Sequence, residues 1–402
     1  MASSDVPESV QRFIEYLRIK TVQPTPDYAS CTLFLRRQAE EIGLEFSVTE
    51  CIAGKPIVVL TLPGLCPSEP SIILNSHTDV VPVFPSSWTQ DPFGGARVAD
   101  GADHRIYARG AQDMKIVGMA YLEALRAFRR EGTRLRRTVH AVFVPDEEIG
   151  GHEGMELFVE RDEFRRLNAG FALDEGMANP ADELRVFYGE RAPCWVKFVA
   201  RGNAGHGSQF IEDTAGERLH RVVGRMLAFR SEQLELLRRP LDAGGLRTLG
   251  DVTSTNLTLL QAGVQHNVVP AEAMAGFDIR MTPNVDYAGF RRWLQQVADE
   301  ERVELEFVQF WADNTMTPRE GAFWAAFEGA LGQLATAYRC EIFPAATDSR
   351  YLRRAGVPAL GVSPLCGLPI LLHDHDEYVR ESDYLRAVDF YRCVVKALAN
   401  AE

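Results

Sequence analysis

Apolar residues fall in short runs through the first half of the chain, at 57–62, 71–75, 138–144 and 170–173. Runs of this length, rich in Val, Ile, Leu and Phe, predict buried strands. Between them, apolar positions recur every three or four residues in 118–130 and 155–161, the spacing of one helix face. Val10, Phe13, Ile14 and Leu17 show the same spacing and predict a helix near the N-terminus. Strands alternating with helices predict an α/β sheet with helices on its faces. Near Glu190 the texture changes to strand-like 195–200, a helix at 214–237, strand-like 256–260 and 274–281, and a helix at 290–301. We read this as two strands, a helix, two strands and a helix, a compact α+β unit. The α/β texture returns with a helix at 323–338, the run 359–362 and a final helix at 384–399. A larger domain, 1–188 and 312–402, is therefore expected to hold a smaller inserted one, 189–311.

At about 150 residues per domain, 402 residues leave room for two or three domains. Against 43 Lys and Arg stand 56 Asp and Glu, a formal charge of −13, which repels phosphate backbones and anionic lipid. Neither nucleic acid nor a membrane is an expected partner, and no apolar run approaches the roughly 18 residues of a bilayer span. The stretch Met1–Asp5 lacks the basic start of a secretion signal. Seven cysteines, scattered and without a Cys-x-x-Cys pair, point to neither a disulfide framework nor a thiolate metal site. A reduced, cytoplasmic protein is expected.

Several of the apolar runs end in acid or imidazole. In Asn75-Ser76-His77-Thr78-Asp79, residues two apart share a face, so His77 and Asp79 project together from a strand end. Ends of strands are where α/β sheets place ligands, although a hydrogen-bonded turn uses the same pair. Asp113, in Arg109-Gly110-Ala111-Gln112-Asp113-Met114-Lys115, stands at a helix entry, where an acid can serve as N-cap or as ligand. Asp146-Glu147-Glu148 follows the run 138–144. Adjacent carboxylates repel, and either solvent in an open loop or a cation in a cleft must offset that. Asp174-Glu175 ends another run, and Leu371-Leu372-His373-Asp374-His375-Asp376-Glu377 lies near the C-terminus. Two imidazoles with several carboxylates fit a hydrolytic centre of zinc or another borderline divalent ion, and the surplus of acid suggests two ions sharing a carboxylate. Which of Asp146, Glu147 and Glu148 ligates stays open at this level.

These strings, in this order, resemble the aminoacylase-1 family, within the di-zinc clan that includes carboxypeptidase G and succinyl-diaminopimelate desuccinylase. The resemblance runs from Leu17-Arg18-Ile19-Lys20-Thr21-Val22-Gln23-Pro24 to the closing His-Asp-His-Asp-Glu string. It implies a zinc-binding α/β domain, an inserted dimerisation domain and a homodimer. By resemblance, His77 and Glu175 hold one Zn²⁺, Glu148 and His373 the other, and Asp113 bridges them. Glu147 becomes the general base and Asp79 the orienting partner of His77. His206, in Gly205-His206-Gly207-Ser208, reads by itself as a surface-loop histidine; the resemblance makes it an oxyanion stabiliser reaching the partner subunit's site. Asn267, Arg280, Thr347 and Arg350 become substrate contacts, with Arg280 and Arg350 competing to bind a carboxylate and Arg280 equally readable as a structural ion-pair partner. The implied reaction is hydrolysis of N-acyl-L-amino acids, N-acetyl with neutral side chains foremost. A dipeptidase or carboxypeptidase of the same clan, or a catalytically silent metal-binding module, is the alternative.

Overall fold

The computed structural model describes residues 6–241 and 245–402. The stretch Met1–Asp5, read above as lacking the basic start of a secretion signal, and residues 242–244 lie outside the described residues. Two compact units emerge, one of Met1–Tyr188, Thr317–Cys340 and Thr347–Glu402, the other of Gly189–Met316 and Glu341–Ala346. The larger unit thus resumes at 317 where 312 was expected, and 341–346 goes with the smaller one.

The expected α/β sheet has the strand order Glu45–Ile52, Lys55–Leu62, Val139–Val144, Ser71–His77, Ala169–Asp174, Ala359–Val362, Leu184–Glu190 and Tyr338–Phe343, the first six lying wholly in the larger unit. Four neighbours, Val139–Val144, Ser71–His77, Ala169–Asp174 and Ala359–Val362, run parallel. Every residue of Ser71–His77 and Val139–Val144 is buried, as parallel strands covered on both faces require. Helix Lys115–Glu131 packs on these strands so closely that a Cβ on Gly118 would lie 2.7 Å from Ser76 Oγ. Because the four strands are parallel, their C-terminal ends share one edge of the sheet. That edge carries His77, the Asp146–Glu148 turn and Glu175.

The helix expected over 155–161 is two single turns, Met155–Phe158 and Asp162–Arg165, and the one expected to 338 ends at Gln333.

In the smaller unit, strand Ala192–Arg201 lies between Glu272–Met281 and Glu304–Phe310, with Ser254–Ala262 at the edge. Cys194, Val196, Phe198 and Ala200 point from one face into a core shared with helices Ala215–Arg238 and Tyr287–Glu301. In the four-stranded sheet and its two helices the order is strand, helix, two strands, helix, strand, while Gly205–His206 and Val268–Val269 form a separate short ladder. Ahead of the first helix stand the ten-residue strand Ala192–Arg201 and the two-residue strand Gly205–His206, and the final strand was missed because its alternation of Glu304 and Glu306 with Leu305 and Phe307 leaves it half exposed.

Candidate metal centre

His77 is the last residue of its strand and is buried. Its Nδ1 lies 2.9 Å from the backbone carbonyl of Asp79, which can only accept, so Nδ1 carries the proton and Nε2 is left to present a lone pair. Nε2 faces Asp113 Oδ1 at 3.0 Å, Glu175 Oε2 at 3.9 Å and Glu147 Oε2 at 4.0 Å. The carboxylate of Asp79 stands 3.7 Å from Nδ1. It is engaged elsewhere, accepting the backbone N–H groups of Glu147 at 3.1 Å and Glu148 at 3.2 Å. Asp79 therefore orients His77 through its carbonyl and the Glu147–Glu148 turn through its side chain.

Asp113 does not cap the helix that follows. Helix Lys115–Glu131 starts after Met114 with no side-chain cap, and the Asp113 carboxylate spans two imidazoles, His77 on Oδ1 and His373 on Oδ2 at 3.2 Å. His373 also meets Glu148 Oε2 at 3.0 Å. Six side chains, His77, Asp113, Glu147, Glu148, Glu175 and His373, thus converge. Two triads, His77 with Asp113 and Glu148, and His77 with Glu147 and Glu175, each bring one ligand atom per residue within 4.8 Å of the others.

The electrostatics call for cations. Burial, then the charges of Glu148, Asp348 and Asp113, pushes Glu147 well above the usual carboxylate range despite His77. Burial and Asp113 push Glu148 up to about 7, and burial with the Glu147 charge raises Glu175. Burial alone would lower His77, but its bond to Asp113 and the surrounding acids raise it. His373, bonded to Asp113 and Glu148, rises to about 10. Asp113 goes the other way: burial opposes its ionisation, yet the two histidines hold it below the usual range. Glu148 Oε1 is buried without a hydrogen-bond partner. Such an atom is costly unless something electropositive meets it. Imidazole and carboxylate donors gathered around a stranded oxygen fit a divalent metal centre.

Residues 73–397 match the model of peptidase family M20/M25/M40. The chain is 52% identical over 396 residues to aminoacylase-1 of Mus musculus, covering 98% of this chain and 95% of that protein. It is 51% identical over 396 residues to aminoacylase-1 of Sus scrofa, with the same coverage. The chain belongs to the aminoacylase-1 family. An M20 family metallo-carboxypeptidase from Sulfolobus solfataricus shares the fold, with a TM-score of 0.72 at 18% identity over 98% of this chain and 99% of that one.

The other positions that the aminoacylase-1 resemblance singles out lie in both units. Thr347 and Arg350 are in the larger one and buried. Arg350 donates to the carbonyl of Gly150 at 2.7 Å and lies beside the Tyr351 hydroxyl. His206, Asn267 and Arg280 are in the smaller one. His206 is exposed on a two-residue strand paired with Val268–Val269. Its Nδ1 accepts the Ser208 backbone N–H at 3.2 Å, which puts the ring proton on Nε2, the form that can donate to an oxyanion. Asn267 anchors the same hairpin through its carbonyl, which accepts from Gly207 at 2.8 Å. Arg280 pairs with Asp278 at 2.8 Å.

Glu377 escaped sequence reasoning although it stands in the closing string. It is fully buried, pairs with Arg109 at 2.7 Å and accepts the N–H groups of Gly110, Gln112 and Asp113. Asp174, next to Glu175, is held by Asn75 at 2.9 Å and Ser349 at 2.6 Å. Both acids organise backbone and neighbours around the ligand set, a task with no signature beyond an acid at the end of an apolar run.

Proposed function

We propose that this protein hydrolyses N-acyl-L-amino acids, N-acetyl compounds with neutral side chains foremost, using two zinc ions per subunit. His77 and Glu175 would hold one ion, Glu148 and His373 the other, with Asp113 shared. The observation that carries this reading is the Asp113 carboxylate set between His77 and His373 beside the unpartnered Glu148 oxygen, in a chain about half identical to aminoacylases. When bound, the ions would lower the pKa of water at the site and polarise the acyl carbonyl.

Glu147 takes the proton from the attacking water at its carboxylate and delivers it to the amide nitrogen as the C–N bond breaks, leaving a carboxylate and the free amino acid. The Glu147 carboxylate stands beside the ligand set, its Oε2 4.0 Å from His77 Nε2. His206 donates from Nε2 to the developing oxyanion of the partner subunit's site, and Asn267 contacts the amide. Arg280 or Arg350 binds the substrate's carboxylate. Exposed Leu259 and Leu260 on edge strand Ser254–Ala262 favour a homodimer formed through the smaller unit. Buried thiols at Cys31 and Cys194 suit a reducing cytoplasm. Among the described residues no helix is long and apolar enough to cross a membrane.

The test is amine release from a panel of N-acetyl amino acids set beside a panel of dipeptides, with and without a strong chelator. Cleavage of the acetyl compounds that chelator abolishes and zinc restores is the expected result. Preference for dipeptides would move the protein to the peptidase alternative, and chelator-resistant activity would remove the metal from the reaction.

A further inference from the structure

The turn bearing Glu147 and Glu148 is held by side chains outside the ligand set. Asp146 opens it at φ 63° and ψ 20°, a left-handed conformation that a non-glycine residue keeps only where its surroundings impose it. Tyr28, first residue of helix Tyr28–Ile42, grips Asp146 twice: its hydroxyl donates to Oδ1 at 2.6 Å and accepts the Asp146 backbone N–H at 3.0 Å. Gln23 Nε2 lies 3.5 Å from that hydroxyl and donates both to Asp146 Oδ1 at 3.1 Å and to Asp79 Oδ2 at 2.9 Å. Lys55 pairs with the other Asp146 oxygen. Asp79 in turn receives the N–H groups of Glu147 and Glu148.

The same segment is zipped to the loop that follows His77. The Thr21 carbonyl accepts from Val80 at 2.9 Å, the Gln23 N–H donates to the Val80 carbonyl at 3.0 Å, and the Thr21 hydroxyl donates to the Thr78 carbonyl at 2.5 Å. One stretch, 21–28, therefore bonds to both the loop after His77 and the Glu147 turn, adding to the direct links of Thr78 to Val144 and of Asp79 to the turn.

We propose that Tyr28 and Gln23 are positioning residues for the general base, setting through Asp146 and Asp79 where the Glu147 carboxylate stands. This rests on the reading of Glu147 as the base. In the metal-replete enzyme, Tyr28→Phe removes one oxygen and is expected to lower kcat on the order of tenfold, with KM and bound metal within about twofold of the parent. In an Asp146→Gly background the left-handed conformation no longer needs holding, so Tyr28→Phe should cost several-fold less there. A role in packing alone would cost the same in both backgrounds and overturns the proposal, as does undiminished kcat in Tyr28→Phe. Should Tyr28→Phe fail to fold, Gln23→Met, similar in length and lacking the donors, carries the same expectation of a fall in kcat with KM unmoved. Glu147→Gln measured alongside separates the two readings. If it keeps turnover, the base assignment fails; if it is inactive while Tyr28→Phe matches the parent, only the positioning role fails.

Discussion

The backbone N–H of Asp113 donates to the buried carboxylate of Glu377 at 3.2 Å, so the residue shared between the two histidines is held from behind by an acid that touches neither. Burial raises the Glu377 carboxyl above its ordinary range, and Arg109, paired with it at 2.7 Å, and the N–H groups of Gly110 and Gln112 favour its charged form against that. Arg109→Ala leaves that charge unpaired and should destabilise the fold by about 3–5 kcal/mol, while loosening the loop that presents Asp113. Thermal unfolding and metal content should fall together. A variant that loses stability yet binds metal as tightly as the parent would show that the loop needs no brace.

Glu147→Gln keeps shape and removes the proton acceptor. Turnover should drop by about 100- to 10,000-fold, the usual contribution of general acid–base catalysis, with metal content nearly unchanged. Survival of turnover would place the base elsewhere.

What the sequence makes legible follows from how each residue is positioned. His77, the string Asp146-Glu147-Glu148 and Glu175 can be placed at the sheet edge because parallel strands are continuous apolar runs and a polar residue just past such a run sits there, but the run does not distinguish the three acids of the string. The α/β class follows from the same runs. Asp113 was ambiguous because a helix entry suits both a cap and a ligand, and only the fold shows its carboxylate turned away from the helix. Glu377 and Arg109 were illegible as a pair because 268 positions separate them. The task of the Asp79 carboxylate was hidden too, since it depends on where the chain returns 68 residues later. Strand Glu304–Phe310 was missed because half of its surface is polar and exposed.

Metal removal should make stability pH-dependent in a definite direction. In the metal-free chain Glu147, Glu148 and Glu175 hold protons that the unfolded chain would release near 4.5, and Glu148 releases its own only at about 7. The folded state then binds more protons than the unfolded one, so stability falls as pH rises through that window. His77 and His373, both raised, act with the same sign above 6.5. Metal needs the deprotonated carboxylates and binds more tightly as pH rises. The gap in Tm between metal-replete and chelated protein should therefore widen from about pH 5 to pH 8. A gap that stays constant or narrows would mean these acids do not share their protons with a metal site.

Recognition of the substrate's carboxylate should separate the two arginines. Arg280 has Asp278 as an ion-pair partner, whereas Arg350 is buried against the Gly150 carbonyl. N-acetyl amino acid amides should be poor substrates of the native enzyme. Alanine at the arginine that reads the carboxylate should erase the preference for acid over amide, and alanine at the other should preserve it. Native enzyme that cleaves both equally well would show that neither reads the carboxylate, and would favour a broader amidase.

His206 is expected to act across the proposed dimer. It sits exposed on a hairpin of the smaller unit with its Nε2 proton free to donate. If it serves the partner subunit's site, chains carrying only His206→Ala and chains carrying only Glu147→Gln should each be nearly inactive, yet regain activity when mixed and allowed to exchange. The reason is combinatorial. In a mixed dimer one site combines the intact base of the first chain with the intact histidine of the second, while the other site has neither. Action within a single subunit leaves every site of the mixed dimer lacking one group, so no activity can return. Exchange can be verified by differently tagged chains. Verified exchange without recovery would assign His206 to its own subunit or to the structure of its hairpin.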